Sequence, residues 1–127
     1  MREIKFRGKD FLGRWHYGYL HLATGSSSLM IQVDSFDSFG VLPETVGQFT
    51  GLLDKNGKEI YEGDIVHLDS WKPNAMQIKF VEAAFCLADE NGEYLGDIHY
   101  TQHAQVNQCT VLGNIHDNPE LLKTETL

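Results

Sequence analysis

The feature that most constrains this chain is a two-residue apolar period that recurs in short runs and is broken by turn residues roughly every ten positions. In "REIKFR", Ile4 and Phe6 alternate with Glu3, Lys5 and Arg7. In "WHYGYLHL", Trp15, Tyr17, Tyr19 and His21 fall on one side, and His16, Leu20 and Leu22 on the other. Successive side chains of a strand point to opposite faces, so such runs read as half-buried β-strands. Residues 2–7 and 15–22 therefore predict an opening hairpin across "GKDFLG", and "ATGSSS" turns the chain into a third strand, "LMIQV".

Residues 34–47 show no clean period and read as a loop carrying Phe36 and Phe39. Pro43, which has no N–H, ends pairing there. Strands resume after Gly63. "DIVHLDS" sets Ile65 and His67 opposite Val66 and Leu68, and "MQIKFV" alternates Met76, Ile78 and Phe80 with Gln77, Lys79 and Val81. Asn56-Gly57 and Asn91-Gly92 predict hairpin turns, the first of type I′ with positive φ at both positions. Gly63 predicts a backbone bend before the strand at Asp64, with Ile60, Ile65 or Val66 anchoring the core. "CTVLGNI" makes a last strand. Asn118 then suits a helix N-cap, Pro119 the first helical position and Glu120 the positive end of the dipole. The result is a mainly β chain: an N-terminal hairpin or sheet lobe over 1–45, a small barrel or rolled sheet over 46–127, and one terminal helical turn. Strand–helix alternation, the mark of a doubly wound fold, is absent.

Composition narrows the class. Hydrophobic residues make up 42% of the 127, enough for a core. No apolar run approaches the roughly 20 residues of a membrane span. "MREIKFRGKD" lacks the apolar stretch of a secretory signal, so a cytoplasmic, membrane-free protein is expected. Cys86 and Cys109 sit in apolar runs and read as buried, reduced thiols. The net charge is −8, yet residues 1–14 hold Arg2, Lys5, Arg7, Lys9 and Arg14 against only Glu3 and Asp10. Nucleic acid would have to bind this small basic edge against the field of an acidic protein.

The motifs for chemistry fail on spacing. His99 and His103 are four apart with His116 downstream, but the stretch reads as strand and loop and contains no metalloprotease glutamate. Asp54, Glu59, Glu62 and Asp64 form an acidic cluster, and "DKNG" opens like a calcium loop, but its twelfth position is Ile65. No P-loop, dinucleotide fingerprint or nucleophile elbow occurs, and "TGSSS" lacks the second glycine of the last. The apolar neighbours of Cys86 argue against a reactive thiolate. No catalytic constellation, cofactor motif or metal site is found.

Two long blocks, "VGQFTGLLDKNGKEIYEGDIV" (46–66) and "VLGNIHDNPELL" (111–122), together with the opening "MREIKFRGKD", resemble the YopX family of phage and prophage proteins. They cover about a third of the chain. The resemblance implies a mostly β protein with an SH3-like barrel in its C-terminal part, encoded by a phage or prophage. The family has no established activity, so no catalytic residue is carried over.

The leading expectation is a non-enzymatic binding or adaptor module acting on a protein partner, which includes a second copy of itself. Its expected contact surface is Tyr61, Glu62 and Asp64 with loop 34–45. The Trp15, Tyr17 and Tyr19 face reads first as the core face of the hairpin, since aromatics dominate small cores, with a partner platform that includes Trp15 and Tyr17 as the alternative. The alternative is a nucleic-acid-binding protein using Arg2, Lys5, Arg7, Lys9 and Arg14, with Trp15 and Tyr17 stacking on bases. A third reading is a metal-dependent hydrolase built on Asp54, Glu62, Asp64 and the histidines.

Overall fold

The computed structural model describes residues 3–68, 75–89, 91–92, 94–97 and 109–122. Those residues form eleven strands and two short 3-10 turns. The chain divides into two compact units, Met1–Gly51 and Leu52–Leu127. All strand pairs with a described register are antiparallel. Among the described residues no helix is long and apolar enough to cross a membrane.

In the first unit, β1 (Phe6–Lys9), β2 (Trp15–Leu22), β3 (Leu29–Gln32), β4 (Ser38–Gly40) and β5 (Gly47–Leu53) lie in the order β4-β3-β2-β1-β5. The opening hairpin is present, but its first strand sits at 6–9, not 2–7. The cause is Asp10. It starts a tight turn whose closure places Lys9 opposite Trp15 and Arg7 opposite Tyr17. The expected loop 34–47 also contains more structure than its sequence suggested. The Asp34 carboxylate accepts the N–H groups of Phe36 and Asp37, both at 2.8 Å, and this turn pairs β3 with β4. A 3-10 turn at Pro43–Thr45 follows, with Pro43 where an unused N–H would stand.

One face of this sheet is packed. Ile31 is fully buried between Leu20 and Phe39, its partners on the neighbouring strands, and Val41 is buried too. Gly8 makes that packing possible, since a Cβ there would lie 2.9 Å from Val41 Cβ.

β5 ends inside the second unit, where β6 (Glu59–Tyr61) follows it in hydrogen-bonded order. β7 (Asp64–Leu68), β8 (Met76–Val81), β9 (Ala84–Ala88), β10 (Tyr94–Asp97) and β11 (Cys109–Asn114) form a sheet of order β10-β9-β8-β7-β11. Neither sheet closes on itself in this order, so the expected barrel closure is not seen among the described residues. The core comprises Ile60, Val66, Leu68, Met76, Ile78, Phe85, Leu87 and Cys109, with Leu52 and Val111 packed against it. Cys86 and Cys109 are buried and not in a disulfide, as their apolar settings predicted. Gly63, at φ 92°, supplies the bend before β7. The C-terminal turn, Pro119–Leu122, is a 3-10 turn with Leu121 N–H donating to Asn118 O.

The Asn56-Gly57 turn differs from type I′. Gly57 has φ 82°, but Asn56 does not have a positive φ. Asp54 explains this: its carbonyl accepts Gly57 N–H at 3.0 Å, and its carboxylate accepts Asn56 N–H at 2.8 Å and Lys58 N–H at 2.9 Å. The loop is a type I turn followed by one left-handed glycine. A turn with positive φ at both central residues does occur, at Glu82-Ala83 between β8 and β9, with φ 51° and 65°.

Candidate functional site

Several exposed aromatic and aliphatic side chains of the first unit lie on β2 and the turn before it. Trp15, Tyr17, Tyr19 and His21 occupy one face of β2, as their alternation predicted. β2 is an interior strand, flanked by β1 and β3, yet Tyr17 is 44% exposed and Tyr19 71% exposed. Pairing brings cations onto the same face. Arg7 lies opposite Tyr17, and its guanidinium carbon is 4.8 Å from the centre of the Trp15 ring. Lys9 Nζ is 5.7 Å from the same ring, and Lys5 Nζ is 5.6 Å from that of Phe49. These are cation–π distances, so the basic residues of the first strand are used to fix the aromatics from below.

That arrangement alters the basic-edge reading. Arg7 is 5% exposed and Lys5 is paired with Glu3 at 3.1 Å. Arg2 lies outside the described residues. Arg14, by contrast, has a mostly exposed side chain, anchored at one end by Nε donating to Asp10 Oδ2 at 2.9 Å.

Asp10 is the hub of the β1–β2 turn. It is 7% exposed, and its carboxylate accepts Leu12 N–H, Arg14 N–H, Arg14 Nε–H and the His16 ring nitrogen Nε2, the last at 2.8 Å. The His16 hydrogen bond, first, and then those from Arg14 and Leu12 hold this carboxyl well below the usual carboxylate range, against the opposing effect of burial. His16 is stacked on Phe39, with ring centroids 4.0 Å apart and planes 10° from parallel. The sequence placed His16 on the face of β2 opposite Trp15 but gave no sign of this cluster, because Asp10 and Phe39 reach it only through the turn and the β3–β4 hairpin. The turn also exposes Phe11 and Leu12 at 84% and 77%.

The residues expected to form a contact surface in the second unit do not present one. Tyr61 and Asp64 are 2% and 1% exposed. The β6–β7 turn has only Glu62 and Gly63 between its strands, and Asp64 Oδ2 closes it by accepting Tyr61 N–H at 2.8 Å. The Tyr61 hydroxyl donates to Glu59 Oε1 at 2.9 Å, which leaves Glu62 as the half-buried member of the three.

The hydrolase reading is met by the same economy. The Asp54 carboxylate serves the Asn56, Lys58 and Val111 N–H groups, the last at 3.0 Å. Among the described residues no three His, Cys, Asp or Glu side chains come together as a metal-holding group. His99 and His103 lie outside the described residues.

Fold and surface together define a mainly β protein of two open antiparallel sheets whose acidic side chains brace turns. A family model for YopX protein matches residues 9–123, and the chain belongs to the YopX family. A solved structure, "Crystal structure of protein EF1440 from Enterococcus faecalis", is similar at 25% identity with a TM-score of 0.61, covering 97% of this chain and 100% of that one. Among curated proteins none matches.

Proposed function

We propose that this chain is a non-enzymatic binding module of phage or prophage origin, working in the bacterial cytoplasm by contact with another protein. The observation that carries this reading is the uncovered face of β2, where an interior strand exposes Tyr17 and Tyr19 beside the cation-braced ring of Trp15. Tyrosines held on a rigid sheet lose little side-chain entropy on binding and supply large amphipathic contact area, which is why they are enriched among interface hot spots. In the second unit, short antiparallel strands joined by tight turns support an SH3-like reading, a type of scaffold common among docking modules.

The test is capture from induced or infected bacterial cells with the chain as bait, beside a Tyr17→Ser/Tyr19→Ser variant. A partner recovered in stoichiometric amount by the parent and lost with the variant is the expected result. Equal recovery by both would move the contact surface elsewhere, and no stoichiometric partner at all would remove the adaptor reading.

A further inference from the structure

Of the six asparagines in the chain, Asn56 and Asn91 precede a glycine. That dipeptide carries its own reaction. The glycine nitrogen gives up its proton and attacks the asparagine side-chain carbonyl carbon. A new N–Cγ bond closes a cyclic imide, and the side-chain nitrogen leaves as ammonia. Water then opens the ring at either carbonyl, to aspartate or to isoaspartate. Water is the one co-reactant, and glycine is the favoured attacker because no side chain shields its nitrogen. Both asparagines are exposed, so water reaches them.

In an open chain nothing holds this reaction back. Here an aspartate two residues earlier does, in the same way at both turns. At 54–57 the Asp54 carbonyl accepts Gly57 N–H at 3.0 Å, and Asp54 Oδ1 accepts Asn56 N–H at 2.8 Å and Lys58 N–H at 2.9 Å. At 89–92, between β9 and β10, the Asp89 carbonyl accepts Gly92 N–H at 2.9 Å and Asp89 Oδ1 accepts Asn91 N–H at 2.9 Å. Attack requires the asparagine ψ to rotate until the glycine nitrogen lies against the asparagine's own side chain, and that rotation breaks the bond to the aspartate carbonyl. The nitrogen must also lose the proton that this bond engages. A carboxylate in the same turn opposes the negative charge that develops as the proton leaves. Asp54 does more, because its Oδ2 accepts Val111 N–H at 3.0 Å and so ties the first turn to β11.

We propose that Asn56 and Asn91 are self-modification sites, each held in its amide form by the aspartate two residues before it. The first turn shows what conversion does. It adds a negative charge beside Asp54, and the isoaspartate product inserts a carbon into the backbone between residues 56 and 57. Asn56 N–H and Lys58 N–H share Asp54 Oδ1, so the longer backbone pulls that pair apart and the β5–β6 turn cannot reclose as before. The change is one-way. The proposal concerns the chain's own chemistry and does not rest on the binding role above.

Peptide mapping by mass spectrometry, on the full chain held at mildly alkaline pH, reads each asparagine separately. In the folded parent both should convert slowly, and in denaturing urea about a hundredfold faster or more. Asp54→Ala should speed Asn56 by about tenfold or more and leave Asn91 at its parent rate, and Asp89→Ala should do the reverse. Asp54→Asn keeps one acceptor oxygen for the turn and should show the same selectivity with a smaller rise, which decides the matter if the alanine variant does not fold. The proposal is overturned if the folded and unfolded parent convert at one rate, or if the Asp54 variants leave Asn56 unchanged. It is equally overturned if those variants, folded by circular dichroism, speed both asparagines alike.

Discussion

Replacing Asp54 by alanine removes the acceptor for three backbone N–H groups at once, and the structure allows the loss to be divided. Asn56 and Lys58 belong to an exposed turn, so their released N–H groups regain water, and each lost bond costs about as much as a helix cap, ~0.5–1 kcal/mol. Val111 is half-buried in β11, and its N–H bond to a charged acceptor is worth more, about 1.5 kcal/mol. Asp54→Ala should therefore destabilise by about 3 kcal/mol, a shift of roughly 2 M in the urea midpoint at the m-values of small domains. Asp54→Asn separates the contributions. Its single carbonyl oxygen can still serve the turn, but its amide sets a donor against Val111 N–H, so about half of the loss is expected. Urea unfolding followed by far-UV circular dichroism reads both variants. An Asp54→Ala unfolding free energy within about 0.5 kcal/mol of the parent's, the range of ordinary surface substitutions, would refute the clamp. So would an asparagine variant as damaged as the alanine one.

Two further outcomes follow from the same physics. Glu82 and Ala83 hold a two-residue turn in the left-handed region without glycine or asparagine, so Glu82→Asn/Ala83→Gly should stabilise the chain by about 1–2 kcal/mol in thermal unfolding. Asp10, Asp34 and Asp54 all have carboxyls held below their ordinary range, by His16 foremost at Asp10, by Phe36 and Asp37 N–H groups at Asp34, and at Asp54 despite burial, which works the other way, by Val111, Lys58 and Asn56 N–H groups. Depressed carboxyls stabilise the folded chain above the unfolded pKa of about 3.9, and that contribution is lost as pH falls towards the folded values. The urea midpoint should thus show no loss from these groups above about pH 5 and fall steeply below pH 4; a midpoint that holds at pH 3 would count against the assigned bonds.

Much of the fold is written in local pattern. Alternation located β2, β7 and β8, because successive side chains of a strand point to opposite faces, and Ile60, Ile65 and Val66, read as core anchors, are all fully buried. Turn type was harder to read. Asn56-Gly57 favours type I′ when considered alone, and Asp54, two residues earlier, overrides it with its own side chain. Glu82-Ala83 has no turn signature at all, so that hairpin is imposed by the pairing of Phe80 with Phe85 and Val81 with Ala84. The site was less legible still. Tyr61 and Asp64 look like surface chemistry in a charged run, and only the closure of a two-residue turn shows that they are interior. Phe11 and Leu12 were legible as loop residues between the two glycines of "GKDFLG", but the Asp10 hydrogen bonds that order that loop were not.

The two cysteines carry a practical consequence. Both lie in the second unit, in β9 and β11, with exposures near zero, and the first unit has none. A thiol reagent can reach them only when that unit opens, so the labelling rate of the unmodified chain is a native clock for opening of one unit alone. Each unit has one tryptophan, Trp15 in the first and Trp71 in the second, so in a Trp71→Phe variant tryptophan fluorescence reports on the first unit alone. Comparing the two signals across denaturant would reveal whether the halves melt in one step or two, without adding a single probe.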